Sequence, residues 1–163
     1  MNQLDILKNA ILMELRGKAF YEHVAKVTKS DAVRNIFAFM AKEEQLHIDQ
    51  LSDQYTHFVH DNSFMVAEFP KGDNGFVAKI MTKGICDQIN ATSFEAAAIS
   101  AAIDFESKAI EVYTQSAIGT NDAAQKAVFT WLAEWEKGHH KILNQLNDEL
   151  KEAVWYDNKF WPF

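Results

Sequence analysis

AKEEQLH, residues Ala41–His47, returns later in the chain as AEWEKGH, residues Ala133–His139. The offset is 92 residues, and the match extends well beyond these two stretches. The same shift puts Ala10 on Ala102, Glu14 on Glu106, Tyr21 on Tyr113, Phe37 on Phe129 and Leu51 on Leu143, with no gap. Each copy reads Glu, then thirty residues later Glu-x-x-His. Apolar matches at helical spacing reflect shared packing. The matched Glu and His residues need another reason, because a core stripe would simply be apolar.

Working outward from the repeat, the periodicity predicts four helices. The first spans about Gln3 to Val27, with Leu4, Leu7, Ile11, Tyr21 and Ala25 at helical spacing. Thr28-Lys29-Ser30-Asp31 supplies caps for a second, which carries Val33, Ile36, Phe37, Met40, Ile48 and Leu51 and ends near Phe58. Thr92-Ser93-Phe94-Glu95 reads as a capping box that opens the third, and Gly119 closes it. Thr120-Asn121-Asp122 caps the fourth, which runs to about Val154. A linker from about Val59 to Ala91 holds Pro70, Gly72, Gly75 and Gly84. It is long for a loop in a compact domain, so it should lie ordered on the bundle or contain a short helix, for which Phe76–Ile80 is suited.

Two copies of a helical hairpin imply a pseudo-two-fold axis. The linker must then cross the length of the bundle so that the second hairpin is inverted. The expected fold is all-α: an antiparallel four-helix bundle with a long crossover between helices 2 and 3. Residues 1–154 form the bundle, and residues 155–163 form an aromatic tail ending Trp161-Pro162-Phe163.

The composition agrees. Of 163 residues, 6 are Gly and 2 are Pro, which favours long helices over a turn-rich β fold. The net charge of −7 argues against nucleic acid as a partner, since phosphates need a basic face. Cys86, the only cysteine, can form no internal disulfide and reads as a small, at least half-buried residue. Asp5 and Lys8 interrupt any N-terminal apolar run, and no stretch approaches the ~20 apolar residues of a membrane span. A cytoplasmic protein without a membrane partner is expected.

The chemistry lies in the stripes. Glu14, Glu44 and His47 fall among apolar positions of the first hairpin; Glu106, Glu136 and His139 do so in the second. Four carboxylates in one core would repel one another, and burial alone would cost several kcal/mol each. The nearest basic candidate is Lys18. Two divalent cations would offset the four charges, with two neutral imidazoles completing the shell. Residues at i and i+3 share a helix face, so Glu44 with His47, and Glu136 with His139, can serve one site. Imidazole with carboxylate suits iron, manganese or zinc. No thiolate set is present for a structural zinc site.

With those motifs in place, residues 3–150 resemble the ferritin-like di-iron carboxylate family, within it the rubrerythrin and bacterioferritin group. The resemblance implies two iron ions per chain, with manganese or zinc as substitutes. It makes Glu44 and Glu136 bridging ligands, Glu14 and Glu106 terminal ligands, and His47 and His139 ligands to one metal each. It implies a di-iron oxidoreductase that oxidises ferrous iron with peroxide or O2 and takes electrons from a separate donor; the alternative is non-catalytic iron binding or storage. Two features depart from rubrerythrins. Ile103 and Ala109 flank Glu106 where an extra carboxylate is typical on the third helix, and the paired cysteines of a rubredoxin-type domain are missing. The short tail replaces the fifth helix of cage-forming ferritins, so a homodimer is expected rather than a shell.

Other residues read more plainly. Tyr21 and Tyr113 lie two turns beyond Glu14 and Glu106 and are either ordinary core tyrosines or hydrogen-bond donors to ligand carboxylates. His140 points about 100° away from His139 on the helix and reads as a surface residue, as do His23, His57 and His60. Glu22, Glu43, Glu95, Glu111 and Glu134 read as solvated or capping, and Trp131 and Trp135 as packing residues.

Overall fold

The computed structural model describes residues 2–71 and 94–157, with side chains through 152. Four helices account for most of it: α1 (Gln3–Val27), α2 (Asp31–Asp61), α3 (Phe94–Ile118) and α4 (Ala123–Asp157). The described residues include no strand. The all-α four-helix bundle read from the repeat is the fold observed.

Local chemistry fixes the helix ends. Asn2 caps α1 by accepting from the Asp5 backbone N–H, and Ser30 caps α2 by accepting from that of Val33. Asp122 caps α4, accepting from the Gln125 N–H at 2.8 Å. The Gly119 N–H closes α3 on the Gln115 carbonyl at 2.9 Å. α2 extends past the expected Phe58 to Asp61 and stops at Asn62, whose φ of 51° is left-handed. Asn tolerates that conformation better than most residues, which makes it a workable helix stop. α4 extends past Val154 into the stretch expected to be tail. The expected Phe76–Ile80 helix, Cys86, the first two residues of the expected capping box, and 158–163 lie outside the described residues.

Each hairpin, α1 with α2 and α3 with α4, packs along its length. Connections of only a few residues make each pair antiparallel. Two apolar clusters lie at opposite ends of the bundle. One gathers Tyr21, Phe37, Met40, Ile99 and Leu143; the other gathers Leu7, Leu51, Tyr113, Phe129 and Leu132. The 92-residue shift exchanges them, carrying Tyr21 to Tyr113, Phe37 to Phe129 and Met40 to Leu132. The end of α1 therefore meets the start of α3, where the Thr28 hydroxyl donates to Glu95 Oε1 at 2.8 Å. α2 ends beside one cluster and α3 begins beside the other, so the connection must traverse the bundle.

The start of that connection is held in place. Phe64 is buried against Phe58 and Phe129, Phe69 stacks on Trp131 at 4.9 Å, and the Trp131 Nε1–H donates to the Pro70 carbonyl. Gln54, fully buried, acts as a local strand partner: its amide donates to the Met65 carbonyl and accepts from the Met65 N–H. Gln54→Ala leaves both backbone groups without these bonds. It should destabilise the protein by about 1–3 kcal/mol. Chemical denaturation checks the magnitude, and faster proteolysis near Met65 would place the effect.

Candidate metal centre

Between the two apolar clusters the core turns polar. Glu14, Glu44, His47, Glu106, Glu136 and His139 are each at most 4% exposed in their side chains. Helix register explains the placement. Glu14 lies between the buried Ala10 and Tyr21 of α1, and Glu106 between Ala102 and Tyr113 of α3. On α2 and α4 the Glu-x-x-His pairs fall between Met40 and Leu51, and between Leu132 and Leu143.

The six residues form two overlapping groups. Glu14, Glu44, His47 and Glu136 make one; Glu44, Glu106, Glu136 and His139 make the other, with candidate ligand atoms in each group within 4.8 Å of one another. Glu44 and Glu136 belong to both. Glu136 presents Oε1 to His47 Nδ1 at 3.0 Å and Oε2 to His139 Nδ1 at 2.9 Å. Glu44 presents Oε2 to His47 Nδ1 at 3.3 Å and Oε1 to His139 Nδ1 at 3.6 Å. Glu14 lies 3.0 Å from His47 Nδ1, and Glu106 lies 3.3 Å from His139 Nδ1. Two carboxylates thus face both histidines and two face one each.

The tyrosines cross between hairpins. Tyr21 of α1 donates to Glu106 of α3 at 2.5 Å, and Tyr113 of α3 donates to Glu14 of α1. Burial, followed by the facing carboxylates, holds both phenols well above their ordinary pKa, so both remain donors.

Without a cation the charges distort the titrations of Glu44, His47, Glu106, Glu136 and His139. Burial and then the charge of Glu136 push the Glu106 carboxyl up to about 8. Burial, with Glu136 and Glu14 beside it, raises Glu44. Burial alone would lower the histidines, but carboxylate charge outweighs it: Glu136 raises His47, and Glu106 raises His139. Glu136 moves down, because the two histidines outweigh its own burial. Lys18, the expected basic candidate, bonds to Gln45 and pairs with Glu22 instead.

The donor set fits two metal ions. His47 Nε2, His139 Nδ1 and both Glu136 oxygens are buried and make no hydrogen bond among the described residues, even where imidazole nitrogen and Glu136 oxygen lie 2.9–3.0 Å apart. Buried polar atoms are rarely left so, and an ion bound among them is one standard reason. Carboxylate oxygens and imidazole nitrogens suit iron, manganese or zinc, and two divalent charges match four carboxylates.

One residue was misread from sequence. Glu43 is not a solvated-face residue: it is buried between α2 and α4, accepting from the Trp135 Nε1–H at 3.0 Å and lying 2.8 Å from His139 Nε2. A signal existed, since Ile36, Met40, Glu43, His47, Leu51 and Gln54 form one continuous helical stripe. The other simple readings fare better. Glu22, Glu111 and Glu134 are exposed, as are His23 and His60, and His140 bonds to Asn144 outside the cluster. His57, expected at the surface, is half-buried and pairs with Asp61. Glu95 is half-buried and serves the α1–α3 junction.

No helix among the described residues is long and apolar enough to cross a membrane. Comparison with curated proteins and with solved structures gave no match. The rubrerythrin family model matches residues 5–84 and 97–159, covering both hairpins and all six cluster residues. A match over most of its length, on a four-helix bundle with this buried cluster, means that the chain belongs to the rubrerythrin family.

Proposed function

We propose that this protein is a di-iron oxidoreductase of the ferritin and rubrerythrin type, which oxidises ferrous iron with peroxide or O2. The observation that carries it is the pair of overlapping four-residue groups sharing Glu44 and Glu136. On this reading Glu44 and Glu136 would be shared by the two ions as bridging ligands, Glu14 and Glu106 would be terminal ligands, and His47 and His139 would each hold one ion. Manganese or zinc would fit the same donors. Six protein ligands on two ions leave positions for a small substrate, as a reactive centre requires. Two ferrous ions bound there would supply the two electrons that, with two protons, reduce one peroxide to two waters.

The chain's own residues do the rest. Tyr21 and Tyr113 fix one oxygen each of Glu106 and Glu14. The two apolar clusters keep bulk water from the centre along the bundle axis. The sequence has no cysteine pair to hold an electron-supplying iron, so a separate donor is part of the proposal. A cytoplasmic setting and a homodimer belong to the same reading, and light scattering near twice the 18.6 kDa chain mass would fit the dimer.

The alternative is iron binding or storage without catalysis, which the same donors would permit. Stopped-flow mixing separates the two. The diferrous protein should oxidise within seconds on meeting peroxide or O2, and should need added reductant to react again. If neither oxidant changes the diferrous state over minutes, storage becomes the better reading.

A further inference from the structure

The 92-residue repeat is broken at the position just before the shared glutamates. The first hairpin has Glu43 there and the second has Trp135. These two residues meet: the Trp135 Nε1–H donates to Glu43 Oε2 at 3.0 Å. His139 Nε2 lies 2.8 Å from the same oxygen. Glu43 is a carboxylate with no capacity to donate when ionised, so the hydrogen-bond pattern assigns the His139 proton to Nε2. In the neutral imidazole that binds metal, Nδ1, beside Glu106 and Glu136, is then the nitrogen left free to act as ligand.

His47 has no such support. Its Nδ1 faces Glu14 and Glu136, while its Nε2 is buried with no hydrogen-bond partner among the described residues. Its ring stands edge-on to the indoles of Trp131 and Trp135, with centroids 5.3 and 5.2 Å away. The indole of Trp135 thus stands on the His47 side while its N–H supports Glu43 on the His139 side. A carboxylate on the far nitrogen of a ligating imidazole fixes its tautomer and makes it a stronger donor to metal.

We propose that Glu43 is a positioning residue that makes the two metal positions unequal, so that the one served by His139 fills first and holds its ion more tightly. The position served by His47 fills second and exchanges more readily. This rests on the cluster being a di-metal centre and adds an order of occupancy to it.

The test uses the full chain, stripped of metal and titrated with Co²⁺, followed by calorimetry and by visible absorption. The wild type should bind in two steps whose affinities differ by about tenfold or more. His47→Ala leaves the His139 position, and there Glu43→Ala should weaken Co²⁺ by about 10–100-fold. His139→Ala leaves the His47 position, where the same change should alter affinity by less than about threefold, because the carboxylate does not reach that imidazole. Glu43→Gln keeps the size and one acceptor oxygen, and should fall between wild type and Ala in the first background. Circular dichroism reports whether each variant folds; if Glu43→Ala does not, Glu43→Gln decides in the same two backgrounds. Equal wild-type steps, equal losses in both backgrounds, or no loss in either would overturn the proposal. A wild type that takes up no Co²⁺ would sink the di-metal reading itself, a result distinct from all of these.

Discussion

Glu44→Ala and Glu136→Ala should each abolish tight binding of both metal ions rather than of one. Each carboxylate presents one oxygen toward His47 and the other toward His139, so either deletion removes a donor from both four-residue groups. Partners outside the ligand shell are commonly worth about 10–100-fold in affinity, and a shared ligand should exceed that at both positions. The expected result is two ions per chain for the wild type and close to none for either variant, measured by elemental analysis after desalting. Glu111→Ala is the control, because that carboxylate is exposed and pairs only with Lys108 among the described residues. Retention of one full equivalent by both variants would argue for two independent sites and against shared carboxylates.

The second large effect is a reversal of pH dependence on loading. In the metal-free protein, protons take the place of cations. Glu106, raised to about 8 from an ordinary value near 4.5, contributes stability that is fully present below about 4.5 and is lost as pH rises through about 8. Glu44 acts in the same direction. His47 and His139 are also raised, so their contribution is present below 6.5 and is lost as pH climbs through their folded values. Glu136 opposes them, since its lowered pKa gives stability above 4.5 that is lost as pH falls. Four groups against one predict a metal-free melting temperature that drops between about pH 5 and pH 8. Each proton held only by the folded state costs about 1.4 kcal/mol per pH unit crossed.

Loaded with Fe²⁺ under anaerobic conditions, or with Mn²⁺, the slope should change sign. Metal competes with those protons, so loading releases them and tightens as pH rises. Added stability then follows from binding to the folded state alone. The two melting curves should lie closest near pH 5 and diverge toward pH 8. A metal-free curve that rises over this range would contradict the buried, like-charged cluster.

Much of this was legible in the sequence because the chain states it twice. The end of α1 and the start of α2 follow from the Thr28–Ser30 turn, which is local chemistry. The six clustered residues stand out because Glu and His recur where packing would call for apolar side chains. Glu43 was missed for the converse reason: its counterpart is Trp135, so the repeat offered no second witness. The helical stripe from Ile36 to Gln54 marks its face as inward, but its partners are residues of α4, 92 and 96 positions away, which the stripe does not name. Gln54 was equally opaque. A buried amide makes sense only once the chain after Asn62 is known to turn back and lay Met65 beside it.

The division of donors between hairpins also bears on how the protein is made. Each four-residue group takes three members from one hairpin and the fourth from the other. A chain emerging from the ribosome with only α1 and α2 complete carries Glu14, Glu44 and His47, yet lacks Glu136 and the Tyr113 hydroxyl that pins Glu14. The crossover must then be synthesised before α3 can start. Even after α3 has formed, Glu136 and His139 still wait on α4. Neither four-residue group is therefore complete until α4 has been made, and a chain stopped short of α4 carries only part of each donor set.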